Sequence, residues 1–211
     1  MKLRKILKPF YKNFSPCLAE YLRKELSNCN TVLDLGCGRD SLIQYCNIPF
    51  SVGVEKFEPH LEESKKKGIH NQYKRADILE IEFKPKSFDA VIALDVLEHL
   101  KKEEGYKLIK KMENWAEEKV IVFTPNGYIW QDDYDNNPFQ KHKSGWTVEE
   151  LKKGGFKVFG INGWKKLRGY KATVKYKPIL FWTIILDLTS KITWHLPGLA
   201  FQLFAIKRIK S

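Results

Sequence analysis

The stretch from Thr31 to Asp40, Thr-Val-Leu-Asp-Leu-Gly-Cys-Gly-Arg-Asp, narrows the folds open to this chain more than any other. A β-branched and apolar run breaks abruptly into Gly36-Cys37-Gly38, with the carboxylate of Asp34 just before the glycines. Val32 and Leu33 read as a buried strand, and two glycines one residue apart let the backbone turn sharply and approach a ligand with no Cβ in the way. A nucleotide-like molecule can then lie against bare backbone. A dinucleotide fingerprint would place a third glycine where Ser41 stands, so close approach of a pyrophosphate to a helix start is poorly supported.

Further blocks follow at the order and spacing of a parallel α/β sheet. Phe50–Val54 is the next strand candidate and ends in Glu55, about twenty residues past the glycine turn, where doubly wound folds place an acidic residue on ribose hydroxyls. Tyr73-Lys-Arg-Ala-Asp77-Ile78-Leu79 reads as a short polar strand, although a strand-end aspartate is also a common turn or helix cap. Between Ser87 and Leu100 a near-continuous apolar run fits a central strand buried on both faces. It ends at Asp95-Val96, with His99 one helical turn beyond Asp95. A helix is expected from about Lys102 to Glu117 with Tyr106, Leu108, Ile109, Met112 and Trp115 on its packed face. Lys119–Thr124 then reads as a fifth strand and Gly155–Ile161 as a sixth.

Taken together, these blocks resemble the class I S-adenosylmethionine-dependent methyltransferases over about residues 25 to 165. Asp34, Gly36 and Gly38 match the family's first motif, and Phe88-Asp89 through Leu97-Glu98-His99 its fourth-strand signature. The resemblance implies that Asp34 faces the positively charged methionine end of S-adenosylmethionine, with Gly36, Cys37 and Gly38 forming the turn beside it. Glu55, followed by Lys56, would clamp the ribose. Asp77 would accept from the adenine amine while Ile78 packs on the ring, and Asp95 and Val96 would lie beside the reacting methyl group. The chain departs from many members at Asp40, where they carry a third glycine.

The implied fold is α/β: a Rossmann-like, doubly wound, seven-stranded sheet with an antiparallel C-terminal hairpin, closed by Ala200–Ile206, and a helical insertion before that last strand. A single domain over 1–211 divides into an N-terminal cap (1–30), a cofactor-binding core (31–163), an apolar insertion or lid (164–198) and the last strand (199–211). The implied reaction is in-line methyl transfer, leaving S-adenosylhomocysteine, in which positioning supplies much of the rate and a base is needed mainly when an oxygen or amine must lose a proton.

Two histidines are candidates for that proton. His99 either accepts it or shapes the cofactor pocket. His142 lies in the Asn126–Trp146 loop, whose density of hydrogen-bonding and aromatic groups suits a binding loop. Asp132 or Tyr134 could orient His142 or bind substrate; a solvated or helix-supporting histidine is the plainer alternative. Thr147-Val-Glu-Glu150 makes a capping box that starts the next helix. Cys17, Cys29, Cys37 and Cys46 lack C-x-x-C spacing and no His-rich tract accompanies them, so neither a metal centre nor a disulfide framework is expected. With such cysteines a reducing cytoplasm is the simplest setting, and Met1–Pro9, which has the charges of a leader without its apolar core, suits retention in the cell.

With 37 Lys plus Arg against 25 Asp plus Glu, the net charge of +12 favours anionic partners without choosing among nucleic acid, phospholipid headgroups and acidic substrates. Enzymes that methylate base amines carry an Asn/Asp-Pro-Pro-aromatic signature after the fourth strand. Asp95-Val-Leu-Glu98 is not one. The expected acceptor is therefore a small-molecule, lipid or glycan-linked group, with an anionic membrane surface as a further partner. An RNA methyltransferase or a non-catalytic cofactor-binding membrane-surface protein is the alternative.

Lys2–Lys12 interleaves basic and apolar residues, suiting either a membrane surface or a cap over the cleft. Ile179–Trp194 is apolar nearly all round a helical wheel except for Thr183, Asp187, Ser190 and Lys191. Spanning a bilayer takes about twenty apolar residues, and Asp187 and Lys191 interrupt this run. It reads as a lid or packed helix, or as an interfacial segment with Trp182 and Trp194 near headgroups.

Overall fold

Strands that are apolar on both faces can be buried only between two layers, and the central strands of this chain are of that kind. In the computed structural model, which describes residues 18–133, 136–169 and 172–210, seven strands form one sheet. They are β1 (Thr31–Leu35), β2 (Phe50–Glu55), β3 (Gln72–Arg75), β4 (Phe88–Leu94), β5 (Ala116–Pro125), β6 (Lys157–Trp164) and β7 (Ala200–Arg208). Their order is β3-β2-β1-β4-β5-β7-β6, parallel except for β7, which runs antiparallel to both its neighbours. This is the expected class I topology. The basic stretch Lys2–Lys12, Cys17 and Tyr134 lie outside the described residues.

The helices are α1 (Leu18–Glu25), α2 (Glu58–Lys67), α3 (Lys102–Trp115), α4 (Val148–Lys153) and α5 (Ile179–His195). On one face, Leu108, Met112 and Trp115 of α3 and Leu151 of α4 pack with Leu33, Leu35, Val91, Ala93, Val120 and Val122. On the other, Leu22 and Leu26 pack with Val32, Ala90, Ile92, Ile121 and Phe204. Consecutive residues of β1 and β4 thus serve opposite layers, as the period of two requires. Thr147 and Glu150 close the predicted capping box at the start of α4.

Two boundaries and one buried position differ from the sequence expectation. The α3 helix stops at Trp115 because Ala116 already pairs with Phe88 in the sheet, so Glu117 and Glu118 belong to β5. Tyr106 does not share the buried face; it is exposed and meets Trp146 edge-on, with ring centroids 5.0 Å apart. β6 starts at Lys157, after Gly155 has turned the chain with φ 85°.

The insertion forms α5, which packs on β6 and on the α1 side of the sheet and does not line the main cleft, whereas Ala172, earlier in the insertion, does. Its amphipathicity is inverted. The residues it buries are Leu186 and Thr193, while Ile179, Leu180, Phe181, Ile184, Leu188 and Ile192 are exposed. Close backbone approach explains the small, polar contact face: a Cβ on Gly160 would lie 2.2 Å from the carbonyl oxygen of Thr193, and the Trp164 amide donates to Thr189 Oγ1 at 3.2 Å. Trp194, expected near headgroups, instead stacks between Tyr21 and Phe159 at 3.8 and 4.3 Å. No helix among the described residues is long and apolar enough to cross a membrane.

Candidate active site

Between β1 and β4 the chain leaves the sheet in opposite directions, which opens a crevice at the carboxyl ends of the strands. A cleft of about 570 Å³ occupies it, within the roughly 300–1,000 Å³ of ordinary ligand pockets. The glycine turn forms one wall. Gly36 and Gly38 have φ of 66° and 56°. A Cβ on Gly36 would stand 2.7 Å from Val96 Cγ2, whereas one on Gly38 would meet nothing within 4 Å. The backbone at Gly38 therefore presents open space to the cleft, a cradle of the kind the cofactor's methionine end requires. No crossover α-helix follows. Ser41 caps a short 3₁₀ turn, Leu42–Tyr45, consistent with the weak case for pyrophosphate. Asp40 is exposed and pairs with Lys67 at 2.6 Å, so its side chain leaves the turn unobstructed.

Asp34 lies buried beneath the turn, accepting from the Ser41 hydroxyl, with His70 Nε2 3.5 Å from its Oδ2. Burial raises its carboxyl to about 7, against the Ser41 hydrogen bond and with a further push from the charge of Glu55. Burial also holds the His70 imidazole down to about 4. The Cys37 thiol is buried and pushed well above its ordinary range for the same reason. His70 was not foreseen, because it enters from the loop before β3 and carries no local signal.

The nucleoside half is arranged differently. Glu55 Oε2 accepts from the Gly38 amide at 3.0 Å and Oε1 from the Phe57 amide at 2.8 Å, so the carboxylate braces the glycine turn. Lys56 Nζ donates to Asp77 Oδ2 at 2.7 Å, and the Leu79 amide donates to Asp77 Oδ1 at 2.9 Å. Lys56 also sits 4.8 Å above the ring of Phe139, from the loop after β5. Lys56, Asp77 and Phe139 line a separate depression beside the main cleft. Ile78 packs against the core below, and Val96 is buried behind Gly36. The structure thus gathers Asp34, Gly36, Cys37, Gly38, Asp95, His99 and His142 around one cleft, and leaves Glu55, Lys56, Asp77, Ile78 and Val96 off its lining.

At the end of β4, Asp95 adopts φ 53° and turns into the cleft. It sits deep among protein atoms although its surface opens onto the cleft, and Gln202 of β7 donates to its Oδ1 at 3.2 Å. Glu98 is buried and receives Thr124 Oγ1 at 3.0 Å; burial, reinforced by Asp95, raises its carboxyl well above the ordinary range. The two candidate histidines come together with ring centroids 4.9 Å apart. Burial lowers both imidazoles, His99 to about 4, so both are neutral at neutral pH. His142 is oriented by the Ile129 carbonyl, 2.6 Å from its Nδ1. Asp132 is exposed and accepts from the Asp133 amide instead. Sequence reasoning passed over Glu98 and Gln202, which only the tertiary fold brings to the cleft.

Residues 33–124 match the methyltransferase domain family. The chain carries a methyltransferase domain. This domain is 28% identical over 110 residues to a probable (S)-tetrahydroprotoberberine N-methyltransferase 2 of Papaver bracteatum, covering 48% of this chain and 30% of that protein. It is 24% identical over 131 residues to the probable tRNA methyltransferase 9B of Homo sapiens, covering 60% of this chain and 27% of that one. The methyltransferase domain therefore spans less than a third of these curated relatives. Among solved structures it resembles the magnesium protoporphyrin IX methyltransferase of Synechocystis PCC 6803 with bound S-adenosylmethionine, at a TM-score of 0.54 and 16% identity, covering 91% of this chain and 78% of that one. It also resembles the plantazolicin methyltransferase BpumL in complex with S-adenosylhomocysteine, at a TM-score of 0.57 and 13% identity, covering 98% and 90% of the two chains.

Proposed function

We propose that the domain transfers a methyl group from S-adenosylmethionine to a small-molecule or lipid-like acceptor, working beside an anionic membrane surface. The observation that carries the cofactor half of this reading is the Asp34–Gly38 turn at the sheet's switch point, where bare backbone borders the cleft. The cofactor supplies a methyl group activated by its sulfonium. In this proposal Asp34 takes the cationic end, and Glu55, while holding the Gly38 amide, keeps carboxylate lone pairs for the ribose. Asp77 exchanges Lys56 for the adenine amine. Trp130, Gln131 and Gln140 of the loop after β5 line the acceptor side and orient the nucleophile.

Asp34 makes this reading testable through pH. Its carboxyl is largely neutral below about 7, so a cationic ligand that needs it ionised must expel a proton. Affinity for S-adenosylmethionine should rise by up to about tenfold per pH unit below 7 and level off above 8. Calorimetry in buffers of different ionisation enthalpy should detect the released proton at pH 6. An affinity flat from pH 6 to 8 with no proton release would remove Asp34 from the cation's environment. In the ligand-free protein the sign is opposite. A folded-state value above the unfolded one favours folding fully at low pH, and that contribution is lost as pH rises from about 4 through 7.

The membrane half rests on α5, which turns its apolar side chains outward, and on the exposed Lys165, Lys166, Lys175 and Lys177 that precede it. An apolar face edged with cations suits an anionic bilayer interface. In flotation assays the intact chain should rise with vesicles containing phosphatidylserine, and Ile184→Glu/Leu188→Glu should stay in solution. Failure of the unmodified chain to float would end the membrane reading. Screening labelled methyl transfer onto lipid, glycan, RNA and metabolite fractions tests the acceptor. Transfer confined to RNA, with affinity falling steeply in salt as phosphate contacts lose counterion release, would replace it with the nucleic-acid alternative.

A further inference from the structure

Glu98, His99 and His142 meet in the cleft, each directing one ligand-capable atom to a common place, with all three atoms within 4.8 Å of one another. The hydrogen bonds around them fix what those atoms are. Nδ1 of His142 lies 2.6 Å from the Ile129 carbonyl, and Nδ1 of His99 lies 3.3 Å from the Lys141 carbonyl. A carbonyl can only accept, so in each neutral ring Nδ1 carries the proton and Nε2 presents a lone pair. Glu98 adds a carboxyl group. Two imidazole lone pairs and a carboxyl that converge on one place can share an electrophile.

We propose that this cluster binds a divalent first-row transition ion. Two imidazoles and one carboxylate are the donor set of open, catalytic-type sites for zinc, iron or manganese, with positions left for water or substrate. The supporting contacts are those that such ligands require: a backbone carbonyl on the far nitrogen of each histidine and a hydroxyl, Thr124 Oγ1, on the far side of the carboxylate. The backbone is fixed as well. The Glu98 carbonyl accepts from the Lys143 and Ser144 amides at 2.7 and 3.1 Å, tying the loop that bears His142 to the turn that bears Glu98 and His99. The remaining coordination positions face the same cleft as the Asp34–Gly38 turn.

The probe is Co²⁺, whose ligand-field absorption reports coordination directly. The purified full chain, stripped by chelator and dialysed against Co²⁺, should take up one ion per chain with visible absorption that Zn²⁺ abolishes by competition. Glu98→Gln keeps a partner for Thr124, and His142→Asn keeps a donor for the Ile129 carbonyl. Each should lower Co²⁺ affinity at least about tenfold, with thermal unfolding close to the unmodified chain. His195→Ala, on the exposed end of α5, should bind Co²⁺ normally. No uptake by folded chain, or uptake unchanged in both Glu98→Gln and His142→Asn, overturns the site. Because the readout is metal binding, the methyltransferase reading can fail or succeed independently.

Discussion

Gly36→Val should abolish measurable S-adenosylhomocysteine binding, a loss of at least about a hundredfold or 2.7 kcal/mol. Two separate effects combine at this position. Its φ of 66° lies in the left-handed region, where a β-branched residue is strained by about 1–3 kcal/mol. A Cβ there also runs into Val96 Cγ2 at 2.7 Å. The effects can be separated, since Val96→Ala in the same chain removes the clash and leaves the strain. Titration calorimetry should find partial recovery in Gly36→Val/Val96→Ala and almost none in Gly36→Val alone. Unimpaired binding by the single variant would show that the turn does not cradle the cofactor.

Trp146→Ala should be the most damaging core truncation outside the sheet. The ring is fully buried, meets Tyr106 edge-on, and carries Lys102 Nζ 4.0 Å above it. It also seats against Gly105, where a Cβ would stand 2.4 Å from the indole. Truncating such a residue costs about 3–5 kcal/mol, and in a domain of this size each kcal/mol lowers the melting temperature by about 2–4 °C. A drop of about 10 °C is expected in a thermal melt. Function should suffer too, because Trp146 closes the loop that begins at Asn126, and its carbonyl accepts from the Gly127 amide at 2.7 Å. A variant with a normal melt would mean that α3 and the loop are held by something other than this indole.

How far the chain could be read in advance depended on the range of the forces involved. The strand-and-glycine turn at Val32–Gly38 was legible because backbone conformation and burial act over a few residues, and the same holds for the apolar strand ending at Asp95. Glu55 ends β2 and Asp77 lies two residues past β3, but their partners were not visible in the sequence: Gly38 and Phe57 amides on one, Lys56 and Leu79 on the other. His142 and Glu98 are brought together by hydrogen bonds from the Lys143 and Ser144 amides of the loop to the Glu98 carbonyl, a relation with no periodicity. Apolarity made α5 recognisable as a helix. Its orientation depended on Gly160 on a different strand, and so could not be read from the helical wheel.

The placement of β7 governs how the sheet can be completed. The strand that comes last in sequence lies between β5 and β6, pairing Phe123 with Phe204 on one side and Phe159 with the same Phe204 on the other. Until residues 200–208 are available, β6 has no place in the sheet and β5 presents an open hydrogen-bonding edge along Val120–Phe123. Such an edge is a template for pairing with other chains. The nascent chain therefore leaves this edge unpaired during the synthesis of β6 and α5. A chaperone that shields the β5 edge during that interval should raise the yield of folded protein.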